Sequence, residues 1–212
     1  MEKAEKLTEP KVLLSYGDWL ATQPEYGQSY DQYFFSGKNN VTTERNKIYL
    51  FILDDLIDRE FQNKVKAYCE AYYSGMKIEI LVPQDRHLLE TLNIRNRIHP
   101  DTNEIQYLTS DIINRTIPFV PKDAFCMLSL TMYDLYPSEK WNYIFGFASY
   151  KNRTGVFSFR RQDPRFLRIF SFNPEQELLE NACEIVVHEI GHMFGMHHCV
   201  YYECNMNGIN SF

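Results

Sequence analysis

The spacing of apolar and polar residues predicts most of the chain's elements. Lys47 to Leu53 (KIYLFIL) is a short, β-rich apolar run, the pattern of a buried strand. Leu56, Phe61, Val65, Tyr68 and Tyr72 then recur at intervals of three to five. This predicts a helix over Leu56 to Tyr73 with one buried face, capped by Asp54 or Asp55 and ended by Gly75. Met76 to Val82 (MKIEILV) alternates and reads as a second strand, stopped by Pro83. A strand, a helix and a strand in this order imply a right-handed crossover between parallel neighbours.

Ile94 to Ile98 and Glu104 to Tyr107 flank the turn sequence Pro100-Asp101-Thr102-Asn103 and predict a hairpin. Thr109 or Ser110 then opens a short helix ending before Pro118. Ala124 to Tyr133 (AFCMLSLTMY) is the longest apolar run with strand character, which places it centrally in a sheet. Asn142 to Ser149 and Val156 to Arg160 are further strands. The last alternates, so it is a candidate edge with backbone groups free to pair with an extended peptide, or an edge blunted by Arg160 and Arg161. Asn173-Pro174-Glu175-Gln176 is a helix start: Asn173 can cap, Pro174 suits the first helical position, and Gln176 can complete a capping box. Leu178, Leu179, Ala182, Ile185, Val186 and Ile190 make the following helix apolar over most of its circumference, hence buried.

That helix runs into His188-Glu189-Ile190-Gly191-His192, followed by Gly195 and His198. His188 and His192 are four apart, so on a helix both imidazoles lie on one face, where one cation could touch them. Neutral imidazoles suit zinc, and a catalytic site wants three protein ligands with one open position. Gly195 can take the positive φ that lets the chain turn and return His198 as third ligand. Glu189, about 100° around the helix from His188, would flank the metal and act as general base toward zinc-bound water. The Gly and the third His at this spacing raise the signal well above that of a bare His-Glu-x-x-His.

Composition adjusts this picture only at its margins. The chain has 212 residues and a net charge of −6, which argues against a nucleic-acid footprint. No apolar run approaches a membrane span. Met1 to Lys6 is charged where a secretion signal would need its apolar core, so the expectation is an intracellular protein, cytoplasmic or nuclear, without membrane attachment. Five cysteines, an odd number, favour free thiols or metal ligands over a disulfide framework. Cys69, Cys126 and Cys183 fall in predicted elements and read as small buried hydrophobes. The sequons at Asn40, Asn114 and Asn152 would not be used in the cytosol. His87 and His99 read as surface residues.

After His198 come Cys199, Cys204 and Met206. Gly195, Cys199, Cys204 and Met206 at these intervals resemble the signature of the archaemetzincins, metzincin-clan zinc peptidases. The stretches DAFCMLSLTMYDLYP, WNYIFGFAS and GVFSF are similar to that family's sheet strands. The resemblance implies that His188, His192 and His198 bind the catalytic zinc, that Glu189 is the base, and that Met206 is the Met-turn residue beneath the histidines. It implies that Val156 to Arg160 is the edge strand on which substrate lies, and that Cys199 and Cys204 supply two of four thiolates around a second, structural zinc. The family's second cysteine pair has no counterpart before Phe212, so that ligand set is incomplete and the C-terminal subdomain is expected to be short. His197 could add a ligand there, although its neighbour His198 is already used.

The expected fold is therefore α/β (α+β), a metzincin-like zincin with a twisted mixed sheet, a backing helix and an active-site helix. The expected organisation is a wrapping segment over residues 1–45, a catalytic subdomain over 46–198, and the start of a C-terminal subdomain with the Met-turn over 199–212. The expected function is zinc-dependent hydrolysis of peptide bonds by a monomer acting on peptide or protein substrates. The alternative is a zinc-binding but inactive shortened homologue, or an interaction module using the cysteine pair.

Overall fold

The computed structural model describes residues 9–11 and 19–208; the charged start at Met1–Lys6 lies outside them. The β-branched and aromatic runs form β1 (Lys47–Ile52), β2 (Lys77–Leu81), β3 (Asn96–Ile98), β4 (Ile105–Leu108), β5 (Ala124–Thr131), β6 (Asp134–Tyr136), β7 (Gly146–Ser149) and β8 (Thr154–Ser158). The helices are α1 (Trp19–Thr22), α2 (Tyr30–Phe35), α3 (Arg59–Tyr72), α4 (Leu88–Thr91), α5 (Thr109–Thr116), α6 (Pro164–Leu167) and α7 (Pro174–Met193). This is a mixed α/β fold. A five-stranded mixed sheet runs β2-β1-β5-β8-β7, and a smaller sheet runs β3-β4-β6.

In the large sheet β2, β1, β5 and β8 are parallel, and β7 alone runs antiparallel, paired to β8. β5 is buried at every position, as its continuous apolar run predicts for a strand covered on both faces. Cys126, Leu128 and Leu130 join one core cluster with Val65 and Cys69 of α3 and with Ala182, Val186 and Ile190 of α7. Met127 joins the other cluster with Ile112 and Ile113 of α5 and Leu135 of β6. Thus α3 and α7 back one face of the sheet, and α5 with the small sheet covers the other. The hairpin predicted around Pro100 is β3–β4, antiparallel from Asn96↔Tyr107 to Ile98↔Ile105.

Four expectations are corrected. β8 is not an edge: Val156, Phe157 and Phe159 are fully buried, and the edge is β7, whose Phe147 is half-exposed. Arg161 accordingly blunts nothing. It is buried and forms two hydrogen bonds to Asp134, 2.8 Å from Nε to Oδ1 and 2.7 Å from Nη2 to Oδ2. The cap of α3 is Asp58, which accepts from Phe61 N at 2.9 Å, while Asp54 accepts from Thr131 Oγ1 and Met132 N instead. The buried face of α3 is Val65 with Cys69, whereas Leu56, Tyr68 and Tyr72 face water. His99 is buried, its Nδ1 accepting from the backbone N–H of Asp101 and Thr102 at 3.2 Å each. The two helix errors arise at different ends: exposed Leu56 moved the expected start toward Asp54 and Asp55, and Tyr68 and Tyr72, which tolerate half-exposure, blurred the apolar period.

The described part of the first 45 residues lies against the far end of α7. Tyr33 Oη donates to Phe194 O at 3.4 Å, and Asn39 Nδ2 donates to Met193 O at 3.2 Å. Residues 9–11 pair with 201–203: Lys11 N donates to Tyr201 O and Glu203 N to Glu9 O, both at 2.9 Å.

Candidate active site

Every candidate ligand depends on α7. Asn173 Oδ1 accepts from Gln176 N at 3.3 Å, Pro174 occupies the first turn, and Glu175 and Glu177 there complement the helix dipole. The capping box is not closed, because the Gln176 side chain bonds Glu180 instead. Along the helix Ala182, Val186, Ile190 and Met193 are fully buried, so α7 is locked by packing well beyond what propensity supplies. It stops in a Schellman arrangement, with Met196 N donating to Gly191 O at 3.1 Å and Gly195 N to His192 O at 2.9 Å. Gly195 has φ +90, and that single left-handed residue reverses the chain and brings His198 back over the helix.

His188, His192 and His198 each present a nitrogen within 4.8 Å of the other two. The outer nitrogens settle the tautomers. Nδ1–H of His188 donates to Asn205 O at 2.6 Å, and Nδ1–H of His192 donates to Met196 O at 2.8 Å. Carbonyl oxygens only accept, so both protons sit on Nδ1 and both Nε2 atoms carry lone pairs. These Nε2 atoms are 2.9 Å apart with no proton between them. His198 follows the same rule, its Nδ1 lying 2.8 Å from Glu25 Oε2. Three converging lone pairs repel one another unless a cation lies among them. The donor set therefore fits zinc, with the outer nitrogens held by acceptors. Burial, followed by the charge His192 would carry, holds the His188 pKa down at about 3, and burial also lowers that of His192. Both rings are thus neutral at ordinary pH and able to donate a lone pair.

Glu189 points into a cleft of about 710 Å³ whose walls include Trp141, Tyr143, Phe145, Gly146 and Ile185, with the three histidines on the floor. Burial pushes its carboxyl pKa up to about 8. A Cβ placed on Gly146 would come within 3.2 Å of Glu189 Oε1, so the absent side chain on this edge strand keeps space beside the carboxylate. Met206 is buried, and a Cβ on Gly191, the residue before His192, would lie only 2.5 Å from its sulfur. Cys199 and Cys204 are free, and the Cys204 thiol is pushed up to about 11, mainly by burial with Cys199 beside it. Among the described residues, no third ligand-type side chain joins them in a cluster like that of the histidines, and His197 does not.

The motif gave no hint of several residues that the structure brings to the site. Glu25 and Trp19 reach His198 from the N-terminal segment, and Gln28 bonds Gly195 O and the His197 N–H at 3.2 Å each. Their separation from the motif, 173 residues for Glu25, leaves no periodicity or spacing that could have revealed them.

The sequence model of Peptidase family M54 matches residues 46–212. Archaemetzincin-2 of Pongo abelii is 33% identical, and that of Homo sapiens 32%, each over 99% of this chain and 65% of the relative. Archaemetzincin-1 of Rattus norvegicus is 26% identical over 92% of this chain and 44% of its own length. The chain thus spans a little under two thirds of the archaemetzincin-2 relatives. Among solved structures, an archaemetzincin from Methanopyrus kandleri superposes with a TM-score of 0.57 at 22% identity, covering 80% of this chain and 84% of that one. A zinc-dependent peptidase from Methanocorpusculum labreanum gives 0.53 at 20% identity, over 77% and 89%. At these identities the two structures establish a shared fold.

Proposed function

The chain belongs to peptidase family M54, and on that premise we propose that it is a zinc metallopeptidase hydrolysing peptide bonds. The observation behind this reading is the convergence of three imidazole lone pairs beside a half-buried carboxyl group on the floor of an apolar cleft. His188, His192 and His198 would hold the zinc. Bound there, zinc supplies Lewis acidity, polarising the scissile carbonyl and making water a stronger acid. Glu189 is the general base: its carboxylate takes a proton from the attacking water and delivers it to the leaving amine nitrogen. Its raised pKa comes from desolvation, and a dication beside it favours the ionised form the base needs.

The substrate backbone pairs with the free edge of β7, which has no strand on its outer side among the described residues. The aromatic walls of the cleft exclude water and receive an apolar side chain. Met206 would be an apolar floor under the histidines, its sulfur not ligating. Cys199 and Cys204 offer two ligands to a second zinc, two short of a closed tetrahedral site.

The test compares wild type with Glu189→Ala for zinc content and cleavage of a peptide library. The expected result is equal zinc in both and a rate about 100- to 10,000-fold lower in the variant. An active Glu189→Ala protein would sink the assigned role.

A further inference from the structure

The third histidine has a partner that no motif contains. Glu25 lies in the loop between α1 and α2, ahead of the stretch that the family model matches. Its two carboxylate oxygens lie 3.0 and 2.8 Å from His198 Nδ1. Trp19 Nε1 donates to the same carboxylate at 2.9 Å, and the Trp19 ring meets the His198 ring edge-on at 5.5 Å. Three residues on, Gln28 grips the turn that delivers His198, through Gly195 O and His197 N. His188 and His192 sit on a packed helix and need only a neutral carbonyl to set each ring. His198 sits on a loop, and of the three it is held by a charged group.

We propose that Glu25 is a positioning residue for the third metal ligand, orienting His198 through its Nδ1 and thereby tightening zinc binding. The proposal rests on the metal reading above. A carboxylate accepting from Nδ1–H makes a stronger bond than a carbonyl does. It fixes the ring's orientation and the tautomer that leaves the Nε2 lone pair free. The pair is partly open to water, with 31% of the Glu25 side chain and 19% of the His198 side chain accessible, so orientation contributes more than long-range attraction. Trp19 restricts the carboxylate in turn, making the N-terminal segment a clamp on a ligand that α7 cannot itself restrain.

The test measures zinc affinity of the full chain by competition with a chromophoric chelator, for wild type, Glu25→Gln, Glu25→Ala, His198→Ala and the double variant Glu25→Gln/His198→Ala. Glu25→Ala is expected to weaken zinc by about 10- to 100-fold, and Glu25→Gln, whose amide oxygen still accepts, by less. In the His198→Ala background Glu25→Gln should add nothing. Nitrogen-15 shifts of the His198 ring in the metal-free protein should show one tautomer in wild type and a mixture in Glu25→Ala. The isosteric Glu25→Gln carries the test should Glu25→Ala fold poorly. Unchanged affinity in the Glu25 variants, or an additive loss in the double variant, overturns the positioning role while the metallopeptidase reading stands. A wild-type chain that takes up no zinc overturns both.

Discussion

His188 and His192 reach the cleft on a helix, whereas His198 reaches it on a loop, and the two halves of the site are stabilised by different physics. The helical pair inherits its geometry from a core: Val186, Ile190 and Met193 are fully buried one turn or less from the ligands, and α7 packs on α3 and the sheet. Misplacing either ring would mean moving the whole helix. The loop histidine has a single left-handed glycine, two Schellman hydrogen bonds and contacts from residues about 170 positions away in sequence. A packed element needs little outside help to hold a ligand, while a loop needs directional bonds from elsewhere in the chain.

Damage to the helical half should have the largest effect. Ile190→Ala opens a cavity between α7 and the sheet, two residues from each helical ligand, and should cost about 2–5 kcal/mol in urea unfolding. A loss below 1 kcal/mol would show that the core does not hold this half. Next comes protonation of the metal-free chain. The folded pKa of His188, about 3, lies below the ordinary value of 6.5. Its contribution is therefore complete above pH 6.5 and is lost as pH falls toward 3, because the unfolded chain binds the proton first. The loss should be on the order of a few kcal/mol, read from urea midpoints in chelator, and His188→Asn should flatten the slope.

The loop half should respond more gently. Gly195→Ala forces a side chain into φ +90, with Tyr150 3.1 Å from the new Cβ, and should cost about 1–2 kcal/mol while leaving the far-UV spectrum unchanged. A larger loss than for Ile190→Ala would reverse the contrast between the halves. Smallest of all, Tyr26→Ser should shift stability by under about 0.5 kcal/mol, since Tyr26 is 98% exposed although Glu25 beside it grips His198.

Much of this architecture was legible because short-range rules govern it. The run Ala124–Thr131 had to be a doubly covered strand, Asn173-Pro174 had to begin a helix, and Gly195 had to end one. Pairing was less legible. Val156 to Arg160 looked like an alternating edge, and only the addition of β7 on the outer side of β8 buried it. Nor did any local pattern point to Asp134, which forms the buried ion pair with Arg161 and takes a hydrogen bond from Gln106 Nε2 at 2.8 Å.

The sequence by itself determined which side chains converge from one helix, because four residues make about one turn and that spacing puts His188 and His192 on one face. It also determined where that helix ends, because a left-handed residue without a Cβ can stand at Gly195. Only the tertiary structure decided which strand borders the cleft and which proton each imidazole keeps. It also decided that a glutamate near the N-terminus stands behind the third histidine. Those features depend on contacts between residues far apart in the chain, and the local dihedral preferences that make a sequence readable carry no information about them.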